Sequence, residues 1–337
     1  MKRKDFLSVI IPAAVSIKAI SADLKHDRQQ LILPPYLKRG DTIGISSPAG
    51  YISLAEIQSA VGRLKEWGFN VKVGNSIGKR AFTFGGTDEE RLSDLQQMLD
   101  DKDIKAILCA RGGYGAVRIV DQLDFNKFLA SPKWIIGFSD ITVLHSHIHN
   151  NFDIATIHSK MCNSFPDDWT KADQMQLDTI ESIRECLTGK KMSYLAPGNA
   201  FNRPGEARGQ LIGGNLKTIE SLSASKSDIN TGGKILFVED TMERLYSIDR
   251  MFWNLERSGK LKNLRGLIVG GFKLKPDEPG DEFGSSLGEI VSKKIQSYNY
   301  PVCYDFPVGH QKNNFALKCG VVHQLTVSQY GSKLTEA

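Results

Sequence analysis

From Asp41 to His158, short apolar runs alternate with stretches of helical periodicity, and no other feature constrains the fold as much. "DTIGISS" reads as a strand and is followed by Leu54, Ile57, Val61 and Leu64 at spacings of three and four. "FNVKVG" is the next strand, and "DEERLSDLQQMLDD" then sets Leu92, Leu95 and Leu99 on one helical face. "IKAILCA", "GAVRIVDQL" and "KWIIGF" follow, and a helix patterned by Ile141, Leu144 and Ile148 begins after Ser139. This alternation predicts an α/β fold, a parallel sheet with helices on both faces. Ligands of such sheets bind in loops at the carboxyl ends of the strands, here "SSPAGY", "ARGGYGAVR" and "GFSD".

Residues 161–205 are polar around one amphipathic helix and read as a connection. Beyond them "GQLIGGNLKTIESL" reads as a turn entering a helix. "KILFVEDTMERLYSIDRMFWNLERSG" is a strand and a helix, "LRGLIVGGF" and "VCYDFPVGH" are strands, and "CGVVHQLTVSQYGS" alternates like an antiparallel edge. A length of 337 residues favours two domains. The expected division is an N-terminal domain over 36–160, the connection, and a C-terminal α/β domain with a mixed sheet over 206–332. The first 22 residues have a basic start, an apolar stretch from Phe6 to Ile17 and small residues at Ser21 and Ala22, the pattern of a signal peptide. Lys2, Arg3, Lys4 and Lys18 against Asp5 carry three of the formal +5, so the remainder is nearly balanced and nucleic acid is not an expected partner. Nothing after residue 22 is long and apolar enough to span a membrane. Five cysteines without a CxxC pair give neither a disulfide framework nor a thiolate metal site.

Ser139 stands on a tight strand-to-helix turn, which suits a nucleophile pushed out of the sheet and equally suits a helix cap. As nucleophile it would have the N–H of Asp140 facing a developing oxyanion. Gly112 and Gly113 of "ARGGYG" let backbone N–H groups approach a substrate, although a phosphate loop or plain turn has the same composition. Among the histidines, His310 of "DFPVGHQKNN" lies just past a strand end on a glycine-flanked loop, where it is free to act as a base. His26 belongs to no motif, His158 ends an apolar run and His323 reads as packed in a strand. His145 and His149 share a helix face, but without HExxH spacing "HSHIH" reads as helix surface and packing rather than a metal site. Glu239 and Asp240 end the strand "KILFVED", with Glu243 just beyond; an acid there either orients a base or caps the next helix.

"ARGGYGAVRIVDQLDF", "PKWIIGFSDITVLH", "GQLIGGNLKTIESL", "LFVEDTMERLYSIDRM" and "FPVGHQKNNFALKCG" together resemble the LD-carboxypeptidase family of serine peptidases, in order over residues 36–330. The resemblance implies a flavodoxin-like N-terminal domain and an active site in the interdomain cleft. It implies Ser139 as nucleophile, Glu239 as acid and His310 as base, with backbone N–H groups of Gly113 and Asp140 as the oxyanion hole. Gly112 and Tyr114 are expected to contact substrate, and neither metal nor cofactor is implied. The implied substrate is the L,D amide between diaminopimelate and terminal D-Ala of murein tetrapeptides. An immunity-type amidase for peptide- or aminoacyl-nucleotide adducts, with Trp169 or Tyr51 stacking on the base, is the enzymatic alternative. A non-catalytic periplasmic binding protein for murein peptides is the third reading. "HSKM", His158 to Met161, departs from the His-Gly-Pro-Met of many members, and the export signal departs from their cytoplasmic location. The family often forms homodimers.

Overall fold

The apolar runs of the first half become five parallel strands: β1 (Thr42–Ser46), β2 (Asn70–Val73), β3 (Ile104–Cys109), β4 (Trp134–Gly137) and β5 (Thr156–His158). The structure, a computed structural model, describes residues 31–337, so the expected export segment 1–22 and His26 lie outside the described residues. The strands lie in the order β2-β1-β3-β4-β5, the flavodoxin-type doubly wound arrangement. Its helices are α1 (Gln58–Glu66), α2 (Asp88–Asp100), α3 (Asn126–Ala130) and α4 (Thr142–Phe152). A capping box between Thr87 and Glu90 starts α2. "GAVRIVDQL" folds as two single 3-10 turns, Ala116–Arg118 and Val120–Gln122.

The chain continues through α5 (Gln174–Leu187), β6 (Ser193–Pro197), β7 (Gly205–Asn215), α6 (Leu216–Ser221) and β8 (Ile235–Thr241). α7 (Leu245–Arg257), β9 (Gly266–Lys273), α8 (Leu287–Ile295) and β10 (Val302–Cys303) follow, then β11 (Leu317–Cys319), β12 (Val322–Ser328) and β13 (Gly331–Glu336). The second sheet has the order β10-β9-β8-β7-β12-β13-β6, parallel from β10 to β7 and antiparallel beyond. "GQLIGGN" is therefore the end of the longest strand and not a turn. Its glycines serve close approach: a Cβ on Gly213 would lie 1.9 Å from the Phe237 carbonyl oxygen, and one on Gly214 would lie 2.4 Å from Thr142 Oγ1. β12 likewise lies inside the sheet, and β6, from the stretch read as a connection, forms the edge.

The two sheets share one apolar core, in which Trp134, Ile136 and Ile157 join a cluster with Phe237, Ile268 and Phe306. β11 pairs antiparallel with β5 of the first sheet, while β12, three residues later, pairs with β7 of the second, so this short stretch stitches the sheets together. All five cysteines are buried and free. Among the described residues, no helix is long and apolar enough to cross a membrane.

Candidate active site

β4 ends at Gly137, Phe138 is extended, and Ser139 adopts φ 61°, a left-handed conformation that L side chains seldom take. Such a residue carries about 1–3 kcal/mol of backbone strain, which concentrates at functional sites. Neither the 3-10 turn Ser139–Ile141 nor α4 receives a side-chain cap, so the Ser139 hydroxyl is not used to start the helix. Asp140 does not cap either: its Oδ2 accepts the Ala116 N–H at 2.8 Å and ties this turn to the loop after β3. Gly112 presses on the same turn, since a Cβ there would lie 3.1 Å from Ser139 Cβ. Gly113 is left-handed at φ 97°.

A cavity of about 340 Å³ opens beside the hydroxyl. Gly113, Tyr114, Ser139 and Asp140 line it from the first sheet's loops, and Asn215, Lys217, Asp240 and Glu243 from the second sheet's strand ends. Gly112 is not among its lining residues.

Burial of the Asp140 carboxyl pushes its pKa up to about 6, against the pull of the Ala116 N–H and the Arg91 charge. A carboxyl raised in the folded state weakens the fold as pH climbs from its unfolded value to its folded one. Asp140→Asn lacks that titration, so its stability relative to wild type should rise by about 2–3 kcal/mol between pH 4 and pH 7. Denaturant melts of both proteins across that range check the sign and size.

Glu239 lies near the carboxyl end of β8, fully buried, at an irregularity in the pairing with β9. There Gly270 and Gly271 let the following loop come close: the Gly271 N–H donates to the Val308 carbonyl at 2.8 Å. That loop lays His310 on the carboxylate. His310 Nδ1 lies 2.5 Å from Glu239 Oε2, and the His310 backbone N–H donates to the same oxygen at 3.1 Å. Gly309, at φ 103°, makes the approach possible, and its N–H donates to Asn314 Oδ1 at 2.8 Å. The Phe138 ring, next in chain to Ser139, meets the His310 ring at 4.9 Å.

The loops are held by residues that sequence reasoning missed. Arg91 is fully buried and donates to the Pro48 carbonyl at 2.5 Å and the Gly115 carbonyl at 2.9 Å, while pairing with Asp88. Asp94 accepts from Ser46 Oγ at 2.7 Å, Ser76 Oγ at 2.5 Å and Asn75 N–H at 2.6 Å. Both occupy the buried stripe of α2 with Leu95 and Met98, and a charge at such a core position was the available signal. Asn215, whose N–H donates to Thr142 Oγ1 at 3.0 Å and whose side chain donates to Asp240 Oδ1 at 3.0 Å, ties the second sheet to α4 beside the cavity. Glu243 receives the Ser247 hydroxyl at 2.5 Å and makes no bond to His310.

All three "HSHIH" histidines are buried. His145 meets the Gly137 carbonyl at 2.9 Å, His147 meets Ser227 Oγ at 2.8 Å, and His149 meets Lys234 Nζ at 3.1 Å. Their role is packing, and no part of it is helix surface. His323 is buried as expected, on the Val321 carbonyl. Among the described residues, no group of three or more His, Cys, Asp or Glu is placed to hold a metal ion.

A serine hydroxyl on a strained strand-to-helix turn, whose preceding ring Phe138 packs on a histidine seated on a buried carboxylate, has the parts of a serine hydrolase of the acyl-transfer kind, although Glu239 and His310 do not line the cavity beside Ser139. Comparison with known proteins agrees: residues 43–159 match the LD-carboxypeptidase N-terminal domain and residues 208–325 the LD-carboxypeptidase C-terminal domain. The chain belongs to the LD-carboxypeptidase family. It is 34% identical to a probable murein peptide carboxypeptidase of Bacillus subtilis over 85% of this chain and 89% of that one. The crystal structure of muramoyltetrapeptide carboxypeptidase from Oxalobacter formigenes superposes with a TM-score of 0.77 at 28% identity, covering 88% of this chain and 98% of that one. The microcin C7 self-immunity protein MccF of Escherichia coli is 26% identical over 90% of this chain and 96% of its own.

Proposed function

We propose that the chain hydrolyses the L,D amide joining diaminopimelate to the terminal D-Ala of murein tetrapeptides. Ser139 is the nucleophile, His310 the base and Glu239 the acid that orients it. The observation that carries this reading is the pairing of a left-handed Ser139, whose hydroxyl caps no helix, with His310 seated on buried Glu239. Glu239 Oε2 is an acceptor, so His310 Nδ1 carries the proton and Nε2 keeps its lone pair for the serine.

His310 Nε2 takes the Ser139 proton as Oγ adds to the amide carbonyl. The oxyanion lies between the N–H groups of Gly113 and Asp140, each donor worth about 10²–10³ in rate. Collapse breaks the C–N bond, and His310 returns the proton to the leaving D-Ala amine. Water, deprotonated by His310, then opens the acyl-enzyme to give the tripeptide acid and free Ser139. Ser139 and His310 share no hydrogen bond, and such contacts commonly tighten once substrate is bound.

Tyr114, 53% exposed at the cavity rim, is the substrate-facing side chain of its loop. Lys217 and Glu243 offer opposite charges on the cavity wall to a diaminopimelate that carries both an ammonium and a carboxylate. The nucleotide-adduct reading needs a free aromatic face. Trp169 lies under the Arg63 guanidinium at 3.6 Å and edge-on to Phe165, and Tyr51 faces Arg80 at 4.8 Å, which favours the murein peptide. The export reading of residues 1–22 assigns that work to the periplasm.

Purified full-length protein mixed with a disaccharide-tetrapeptide should release D-Ala, and Ser139→Ala should not. Absence of release by the wild type, alongside turnover of an aminoacyl-nucleotide adduct, would overturn the substrate assignment in favour of the immunity-type reading.

A further inference from the structure

Behind the Glu239–His310 pair lies a histidine the mechanism above leaves unused. His158, the last residue of β5, is fully buried, and neither of its ring nitrogens has a hydrogen-bond partner. An unpaired buried polar group costs about 1–3 kcal/mol, so a leucine-like side chain here would be the more stable choice. The position of the ring is informative. It packs edge-on against Phe138, the residue before Ser139, at 5.8 Å, and against Phe237, two residues before Glu239, at 5.0 Å. His145 flanks it at 6.4 Å.

The hydrogen-bonding side chain that faces His158 is Asn314, itself fully buried. Asn314 Oδ1 is spent on the Gly309 N–H, and its Nδ2 is left without an acceptor. Burial, with His145 and His310 adding to it, holds the His158 pKa well below the ordinary range. The ring is therefore neutral and presents one acceptor nitrogen. An orphaned donor thus faces an orphaned acceptor.

We propose that His158 is a positioning residue for the reaction: it takes the Asn314 Nδ2–H, fixes the amide so that Oδ1 receives the Gly309 N–H, and so seats the loop that lays His310 on Glu239. Asn314 is the middle member of this relay. A flip of the amide would set Nδ2 against the Gly309 N–H, donor on donor, and Oδ1 against the His158 acceptor nitrogen, so both ends hold the same orientation. The role rests on the peptidase reading only for its kinetic readout.

The test compares His158→Phe, which keeps a planar ring and removes the acceptor, with His158→Gln, which restores an acceptor oxygen. Asn314→Ala and the double variant His158→Phe/Asn314→Ala complete the set, and all four are checked for wild-type circular dichroism. His158→Phe should lower kcat for D-Ala release by about 10- to 100-fold, as a small misplacement of a catalytic group does, with KM within about twofold. His158→Gln should recover part of that loss, and the double variant should be no slower than Asn314→Ala alone. Independently of any substrate, the far-downfield proton resonance of the His310 Nδ1–H on Glu239 should shift or broaden in His158→Phe and return in His158→Gln. Wild-type kcat in His158→Phe with that resonance unmoved, or fully additive losses in the double variant, would overturn the relay. If the wild type releases no D-Ala, the substrate assignment fails, and the resonance still decides for or against His158.

Discussion

Ser139→Gly should remove about 10⁵–10⁶ of the turnover while making the protein more stable by about 1 kcal/mol. The two effects have separate origins. Without Oγ the proposed mechanism has no nucleophile, and loss of that one group disables the whole catalytic unit. At φ 61° the serine backbone is strained, and glycine occupies that region freely. Part of the relief is offset by the greater freedom glycine gains in the unfolded chain, which keeps the net gain near 1 kcal/mol. Ser139→Ala is the necessary comparison, because it is equally inactive yet keeps the strain, so its melting temperature should not exceed that of wild type. Asp153, left-handed at φ 50° at the end of α4, supplies the second comparison: Asp153→Gly should gain similar stability and keep full activity. A Ser139→Gly protein no more stable than Ser139→Ala would show that the turn is relaxed and that the nucleophile is not held under strain.

The strands that carry the site were legible because each is an apolar run of the right length between helical patterns. Ser139 and Glu239 were legible as polar residues at the ends of such runs, and His310 as a histidine past a strand on a glycine-flanked loop. Deciding that Ser139 is no cap required the structure, because cap and nucleophile share the same local sequence. The supporting residues were hidden for a different reason. Arg91 reaches Pro48 and Gly115, and Asp94 reaches Ser46 and Ser76, across gaps in sequence that no local pattern reports. "HSHIH" misled because His145 and His149, four residues apart, mark one polar helical face, and a polar face reads as a wet one. α4 is instead covered on several sides, with Phe125 stacked on His147 at 5.3 Å and Lys234 reaching His149 from before β8. Gly213 and Gly214 misled in the same way, since glycine pairs signal turns more often than close contact between strands.

Gly309→Ala should lower kcat by about 10³–10⁴ and cost about 2–4 kcal/mol of stability. A Cβ at this position would lie 2.3 Å from Glu239 Cβ, 2.7 Å from Cγ and 2.8 Å from Oε2, the oxygen that holds His310. Neither neighbour can yield. Glu239 is fully buried in β8, and the Gly309 backbone is bonded to Asn314 and bridged to Gly271. The chain must move the loop outward, which breaks the hold of Glu239 on the imidazole and leaves the wrong tautomer accessible. The loss should therefore match that of Glu239→Gln, and combining the two should add little. Gly233→Ala separates backbone strain from this contact. Gly233 is also left-handed, at φ 72°, but a Cβ there meets nothing within 4 Å. It should lose about 1 kcal/mol and no activity. Equal kinetic losses in the two alanine variants would mean that backbone strain alone disables the enzyme, and would remove the argument that Gly309 exists to let His310 rest on Glu239.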